Sequence, residues 1–240
     1  MKKEILSRQN EQIKNVVKLN DSKYRKEAGL FKVDGFHMFE MAKEAGCLVE
    51  VYVLEEIKDL DSKINQYIVS KEIMEKISSS KTPQGIVSIC KMKQAKEVEG
   101  NKVLLLDGVS DPGNLGTLLR TALAFGFNDV VLMNNCCSIY NEKVLQSSQG
   151  AIFFLNIVLD KNIDELKQKG YKLYSTEIKG SESIEKVTKP AKLALVLGNE
   201  AHGVSKEILD KSDKRVRIDI NNIESLNVAI AGAIAMYIFR

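Results

Sequence analysis

Residues 103–125 read VLLLDGVSDPGNLGTLLRTALAF, and the architecture follows from this run. The apolar stretch from Val103 to Asp107 has the composition of a parallel strand covered on both faces. A glycine-containing turn follows it. Asp111 before Pro112 then marks a helix start, with an acceptor at the cap and a fixed φ just inside. From Leu115 to Phe125 the apolar residues recur at helical spacing. Four-residue steps place Gly116, Arg120 and Ala124 on one stripe, while Leu115, Leu118, Leu119, Ala122 and Phe125 suit a core. Strand, loop and helix in this order form the repeating unit of α/β folds.

The alternation continues downstream. Strands are expected at Asp129–Met133, Tyr171–Thr176, Leu193–Leu197 and Arg215–Ile220, with an extended segment at Ile152–Leu159. Helices are expected at Asn141–Ser148, Ile163–Lys169 (stopped by Gly170), Val204–Lys211 and Leu226–Phe239. Such alternation predicts a mainly parallel sheet with helices on both faces. Upstream the pattern predicts a smaller α/β unit. It has helices near 10–19, Phe36–Glu44 and Ser70–Ser78, and strands at Gly29–Val33, Val49–Leu54 and Gly85–Cys90. The charged stretch 91–101, KMKQAKEVEGN, separates the two textures and reads as a linker, giving domains at 1–94 and 100–240.

Composition narrows the class. The chain has 240 residues, 44% of them hydrophobic, and a formal net charge of +3. This charge permits nucleic-acid binding without demanding it. Four cysteines, two of them adjacent at Cys136 and Cys137, do not form a disulfide framework and fit reduced, cytoplasmic thiols. His37 and His202 lie far apart and no CxxC occurs, so no metal site is expected. The lysines at the N-terminus precede no apolar core of a signal peptide. The apolar run from Leu226 to Phe239 is shorter than the ~20 residues of a membrane span and is rich in Ala and Gly, which suits a closely packed helix.

Three loops at strand ends hold the candidate chemistry, where open α/β sheets place ligands. In the first, Arg120 beside small residues suits a groove floor open to phosphate or ribose; equally it suits a surface ion pair. In the second, LVLGNEAHGVS (195–205), glycines bracket Asn199 and Glu200. Glu200 could accept from a hydroxyl, pair with Arg120, or simply lead a helix whose dipole favours an acid. In the third, IDINNIESLN (218–227), Ser225 suits an N-cap and Asn227 the first turn. Lys14, Lys18, Lys23, Arg25 and Lys26 cluster in the N-terminal part, as an RNA-contacting patch or a solvated face. No dinucleotide or phosphate-loop signature and no Ser/His/Asp arrangement is present.

The segments DPGNLGTLLRTALAFG, LVLGNEAHGVS and IDINNIESLNVAIAGAI resemble, in order, motifs 1, 2 and 3 of the SpoU (TrmH-like) branch of the SPOUT RNA methyltransferases. KLNDSKYRKEAGLFKVDG and Thr82–Gly85 (TPQG) resemble the family's L30e-like substrate-binding domain, so the likeness spans nearly the whole chain. It implies a C-terminal trefoil-knot domain and transfer of a methyl group from S-adenosylmethionine to a ribose 2′-hydroxyl. It also implies a homodimer with its active site at the subunit interface. Arg120 corresponds to the family's catalytic arginine, and Asn114, Glu200, Ser225 and Asn227 to its active-site polar residues. The cofactor would lie against Leu197, Gly198, Asn199, Ile218, Ile220 and Leu226, with Thr176 lining the pocket.

The added N-terminal domain points to 23S ribosomal RNA as substrate. Transfer RNA, or a lapsed catalyst that only binds RNA, are the alternatives. The chain departs from the family's pattern at Gly113, where many relatives have His, and at Asp219, where they have Pro. The loop to Ser225 is one residue shorter. QSSQG (146–150) stands in place of an Arg-Ala-Ser-x-Gly pattern.

Overall fold

The computed structural model describes residues 2–240. The chain divides into two compact units that meet between Gln94 and Ala95.

The N-terminal unit has strands β1 (Lys2–Ile5), β2 (Leu30–Asp34), β3 (Leu48–Val53), β4 (Asn65–Val69) and β5 (Ile86–Lys91). Its helices are α1 (Glu11–Lys18), α2 (Ser22–Ala28), α3 (Phe36–Glu44) and α4 (Lys71–Ile77). The sheet order is β1-β4-β3-β5-β2. The first three run parallel, and β5 is antiparallel to both β3 and β2. Period-two alternation along β5 divides the core. Val87 and Ile89 pack with Ile13, Val16, Ile73 and Met74, under α1 and α4. Ile86 joins Val51, Val53 and Phe39 under α3.

The C-terminal unit has strands β6 (Lys102–Asp107), β7 (Asp129–Met133), β8 (Asn156–Leu159), β9 (Lys172–Thr176), β10 (Glu182–Ser183), β11 (Leu193–Leu197) and β12 (Lys214–Arg217). Its helices are α5 (Pro112–Ala124), α6 (Glu142–Ser148), α7 (Ile163–Gln168), α8 (Lys206–Lys211) and α9 (Val228–Phe239). The order is β10-β12-β9-β11-β6-β7-β8, parallel throughout. On one face Leu104, Leu106, Leu195 and Leu197 meet Leu115 and Leu118 of α5 and Ala235, Met236 and Phe239 of α9. On the other, Val103, Leu105, Ala194 and Val196 meet Ile163 and Leu166 of α7 and Ile208 of α8. Burial on both faces explains why β6 and β11 are continuously apolar. The chain leaves β6 toward β7 and β8, then crosses to β9 on the other side. β6 and β11 therefore flank a topological switch point, and their C-terminal ends open onto the crevice that such folds use.

Several boundaries differ from the sequence reading. Ile152–Leu159 is not extended throughout: Ala151–Phe153 is a 3₁₀ turn, and only Asn156–Leu159 forms a strand. The strand expected at Arg215–Ile220 ends at Arg217. The last helix begins at Val228 and its N-cap is Asn227, not Ser225. The Asn227 side chain accepts from the N–H groups of Ala229 and Ile230, while Ser225 stands exposed outside the helix.

Gly116 is not part of an open groove floor. A Cβ there would lie 1.9 Å from Ser147 Oγ and 2.7 Å from the Val144 carbonyl, so this glycine exists to let α5 and α6 touch. Residues 95–101 pack on the C-terminal unit. Val98 is buried among α7 and β6 residues, Glu97 pairs with Lys161 and Lys169 at 3.2 and 2.8 Å, and the Gly100 N–H donates to Asp129. Among the described residues no helix is long and apolar enough to cross a membrane.

Candidate active site

Loops 108–111, 198–205 and 218–227 follow the C-terminal ends of β6, β11 and β12. Buried Asp107, the last residue of β6, fixes two of their neighbours. It accepts from Asn134 Nδ2 and, at 2.6 Å, from the Ser205 N–H. One carboxylate thereby ties β6 to the turn after β7 and to the start of α8. Asn199 Nδ2 donates to the Gly108 carbonyl at 2.8 Å, and its Oδ1 accepts from the N–H groups of Ala201 and His202. The 198–204 loop folds back on itself, with Asn199 and Gly203 exchanging backbone bonds of 2.9 Å. Gly198 makes this possible: a Cβ there would sit 2.1–2.3 Å from Gly203 and Val204 backbone atoms.

A polar chain joins the three loops. The Glu200 carboxylate accepts from the Ser110 N–H and Oγ, the Asp111 N–H, and Asn114 Nδ2 at 3.1 Å. Asn114 Oδ1 accepts from Asn227 Nδ2 at 2.9 Å. Asn114 is itself held by its N–H on the capping Asp111 Oδ1, and Asn227 by its cap on α9. Burial alone would raise the Glu200 pKa. Hydrogen bonds from Asn114, its own backbone, Asp111 and Ser110 outweigh that and hold the carboxyl below its ordinary value. Glu200 is therefore an ionised clamp on the 108–114 segment.

Arg120 lies outside this chain. It is exposed, and among the described residues no carboxylate pairs with it; the Glu200 oxygens are occupied by the donors named above. Neither the surface ion pair nor the Glu200 pairing weighed for it is formed. Lys143, at the start of α6, reaches Asp111 at 3.6 Å beside Gly113.

The residues expected around a cofactor have apolar side chains or engaged ones. Leu197 and Gly198 are buried, and Ile218, Ile220 and Leu226 are half-buried. The Thr176 hydroxyl is bound to the Val196 carbonyl. Among the described residues no backbone–backbone hydrogen bond involves residues 218–226, most of which are exposed. Asp219 accepts from Arg217 Nε at 2.9 Å. Its carboxyl is held below its ordinary value first by the Ser183 hydroxyl and then by Arg217.

The basic cluster lies in the other unit. Lys14 and Lys18 each pair with Glu11. Arg25 donates to the carbonyls of Leu19 and Asn20, closing the end of α1. Lys23 and Lys26 are exposed, with no ion pair among the described residues.

Asp107, Ser110 and Asn134 were not singled out from the sequence. Asp107 gave one signal, an acid ending an apolar strand. Asn134 and Asn135 gave another, adjacent asparagines that adopt φ of 51° and 61°.

A family model described as the SpoU rRNA Methylase family matches residues 101–237, and one described as an MRM3-like substrate binding domain matches residues 10–88. The chain is 37% identical to the 23S rRNA (guanosine(2553)-2′-O)-methyltransferase RlmP of Bacillus subtilis, over 99% of each chain. Its fold matches the AdoMet-bound rRNA methyltransferase of Sinorhizobium meliloti with a TM-score of 0.90 at 24% identity, over 100% of this chain and 97% of that one. It also matches the SpoU methyltransferase AviRb of Streptomyces viridochromogenes with AdoMet, at a TM-score of 0.82 and 20% identity over 96% and 97%. All three segments that carry the candidate residues fall inside the first matched region, and the chain belongs to the SpoU rRNA methylase family.

Proposed function

We propose that this chain methylates a ribose 2′-hydroxyl of 23S ribosomal RNA, using S-adenosylmethionine. The observation that carries the reading is the hydrogen-bonded chain Glu200–Asn114–Asn227, which ties three strand-end loops together, with Arg120 exposed further along the helix that begins beside Asn114. Whole-chain identity to an enzyme named for that reaction supports it. The backbone groups of 218–226, flanked by Ile218, Ile220 and Leu226, would hold the purine and the sulfonium-bearing chain of the cofactor. Leu197, Gly198, Asn199 and Thr176 would complete that wall. Acting on ribosomal RNA, the chain would work in the cytoplasm.

The bound cofactor supplies an electrophilic methyl on a sulfonium sulfur. What the protein must add is alignment of the hydroxyl and help with its departing proton. A protonated guanidinium has donors and no acceptor, so it is a poor base. Arg120 therefore acts as a cation that grips the target phosphate and turns the 2′-hydroxyl toward the methyl. Glu200 keeps Asn114 and the 108–114 segment in place, Asn227 fixes the other side of Asn114, and the free Ser225 hydroxyl faces substrate. Lys23 and Lys26, together with Lys14 and Lys18, form the N-terminal contact to RNA, and Arg25 shapes that surface by closing α1. The active form is a homodimer that covers the outer side of α9.

The test is labelled methyl transfer to 23S ribosomal RNA and to transfer RNA in parallel, with mapping of the modified nucleotide. A single 2′-O-methylated nucleotide in 23S RNA is expected. Incorporation into transfer RNA alone would move the substrate assignment, and none into either would overturn the reading.

A further inference from the structure

Cys47 and Cys90 belong to the N-terminal unit and take no part in the site above. Cys47 follows α3, with its N–H and its thiol both directed at the Ala42 carbonyl. Its own carbonyl accepts from the Lys91 N–H at 2.9 Å, while the next residue, Leu48, is the cross-strand partner of Cys90. Opposed residues on antiparallel strands have Cα atoms about 4.5–5.5 Å apart and a disulfide spans about 4.4–6.8 Å, so an offset of one residue leaves the two cysteines within reach. The ladder is irregular between Leu48 and Glu50, and such irregularities re-aim side chains. Cys90 shares with Ile86 the face of β5 that packs on Phe39 of α3, and the Cys47 thiol meets the Ala42 carbonyl of the same helix. Cys47 is half-buried and Cys90 fully buried.

We propose that Cys47 and Cys90 are a thiol pair that a peroxide converts to an intramolecular disulfide. Contact with the Cys90 thiol, aided by the Lys93 amine, draws Cys47 below the ordinary thiol value; the same contact and burial push Cys90 well above it. Cys47, half-buried where Cys90 is buried, is the thiol a peroxide can reach, and it reacts in its thiolate form. It attacks one peroxide oxygen, the O–O bond breaks, and one water leaves after protonation. The resulting sulfenic acid is attacked by Cys90; the S–S bond forms, the S–O bond breaks, and a second water leaves. Two thiols lose two electrons, and peroxide is reduced to two waters. A small dithiol reverses the step by exchange. The adjacent Cys136 and Cys137 contrast with this pair, because burial pushes both of their thiols up.

The test treats the full-length protein with hydrogen peroxide, digests it without reduction, and maps thiols by mass spectrometry. The expected result is one linked peptide pair joining Cys47 to Cys90, a fall in free thiols from four to two, and full reversal by dithiothreitol. Cys47→Ser, at a half-buried position, should abolish the link and leave Cys90 reduced. Because a buried Cys90 variant could fail to fold, Cys47→Ser carries the control. Oxidation of Cys47 to sulfinic acid with Cys90 still free, a link to Cys136, Cys137 or another molecule, or no oxidation of Cys47 at all, would each overturn the proposal.

Discussion

At the scale of single residues, Arg120 and Glu200 make opposite demands on an experiment. Arg120 is exposed and has no partner among the described residues, so nothing in the fold depends on its head group. Arg120→Ala should leave the unfolding temperature and cofactor affinity unchanged, since surface substitutions of this kind stay within about 0.5 kcal/mol. Methyl transfer should fall by about a hundredfold or more, the usual cost of removing one donor aimed at reacting groups. Unchanged turnover would remove Arg120 from the chemistry. Glu200 is a structural clamp whose folded-state pKa lies below its ordinary value. A depressed carboxyl contributes stability that is fully present above its unfolded pKa and is lost as pH falls through the folded value. Acid titration of the unfolding temperature should therefore show a loss below the ordinary carboxylate range that Glu200→Gln lacks. At neutral pH the same variant should lower kcat more than cofactor affinity, because its damage falls on the 108–114 segment. A titration curve identical to the wild type would mean that the four donors do not hold Glu200.

At the scale of elements, one side chain does two jobs that variants can separate. Asn227 caps α9 through Oδ1 and donates to Asn114 through Nδ2. Asn227→Asp keeps the cap acceptor and removes the donor, so thermal stability should hold while methyl transfer collapses. Asn227→Ala should lose both, at a cost of about 1 kcal/mol in chemical denaturation. If Asn227→Asp is as active as the wild type, the link to Asn114 is idle. Gly116→Ala tests the α5–α6 contact. Its methyl would overlap Ser147 Oγ and a backbone carbonyl, and overpacking of this kind costs about 1–3 kcal/mol. The helix spacing was plain in the sequence, but a glycine under a partner helix and one on a groove floor look alike there. Elements whose burial leaves a continuous apolar run were legible, such as β6, β7 and β11. Those held by other means were not. α2 has no buried residue and rests on its Asp21 cap and on Gly29 at its end, so no apolar spacing announces it. Short β1, β4 and β10 exist because a neighbouring strand pairs with them. Ser225 and Asn227 are both good caps by type, and only the path of the 218–227 loop decides between them.

At the scale of the whole molecule, α9 raises a question that its own unit does not answer. Its inner side, Ala229, Gly232, Ala235, Met236 and Phe239, is buried, with Met236 and Phe239 packed in the core that α5 and β11 share. Its outer side is also apolar: Ile230 and Tyr237 are 53% and 54% exposed, and Ile234 and Ile238 are partly exposed beside them. Scattered apolar residues on a surface need no explanation. A stripe at i, i+4, i+7 and i+8 on a helix that is apolar all round does, because such helices are ordinarily covered. The two-fold arrangement commonest among homo-oligomers would place two copies of this stripe against each other. We therefore expect the protein to be a dimer by light scattering at micromolar concentration. Ile230→Glu with Tyr237→Glu should make it a monomer of unchanged helical content, since neither side chain belongs to the inner core. If the active site needs the partner, that monomer should lose methyl transfer while still showing the acid titration step of Glu200, which depends on contacts within one chain. A wild-type protein that stays monomeric across the concentration range would instead leave the stripe to a contact with RNA, and the double variant should then weaken RNA binding without changing mass.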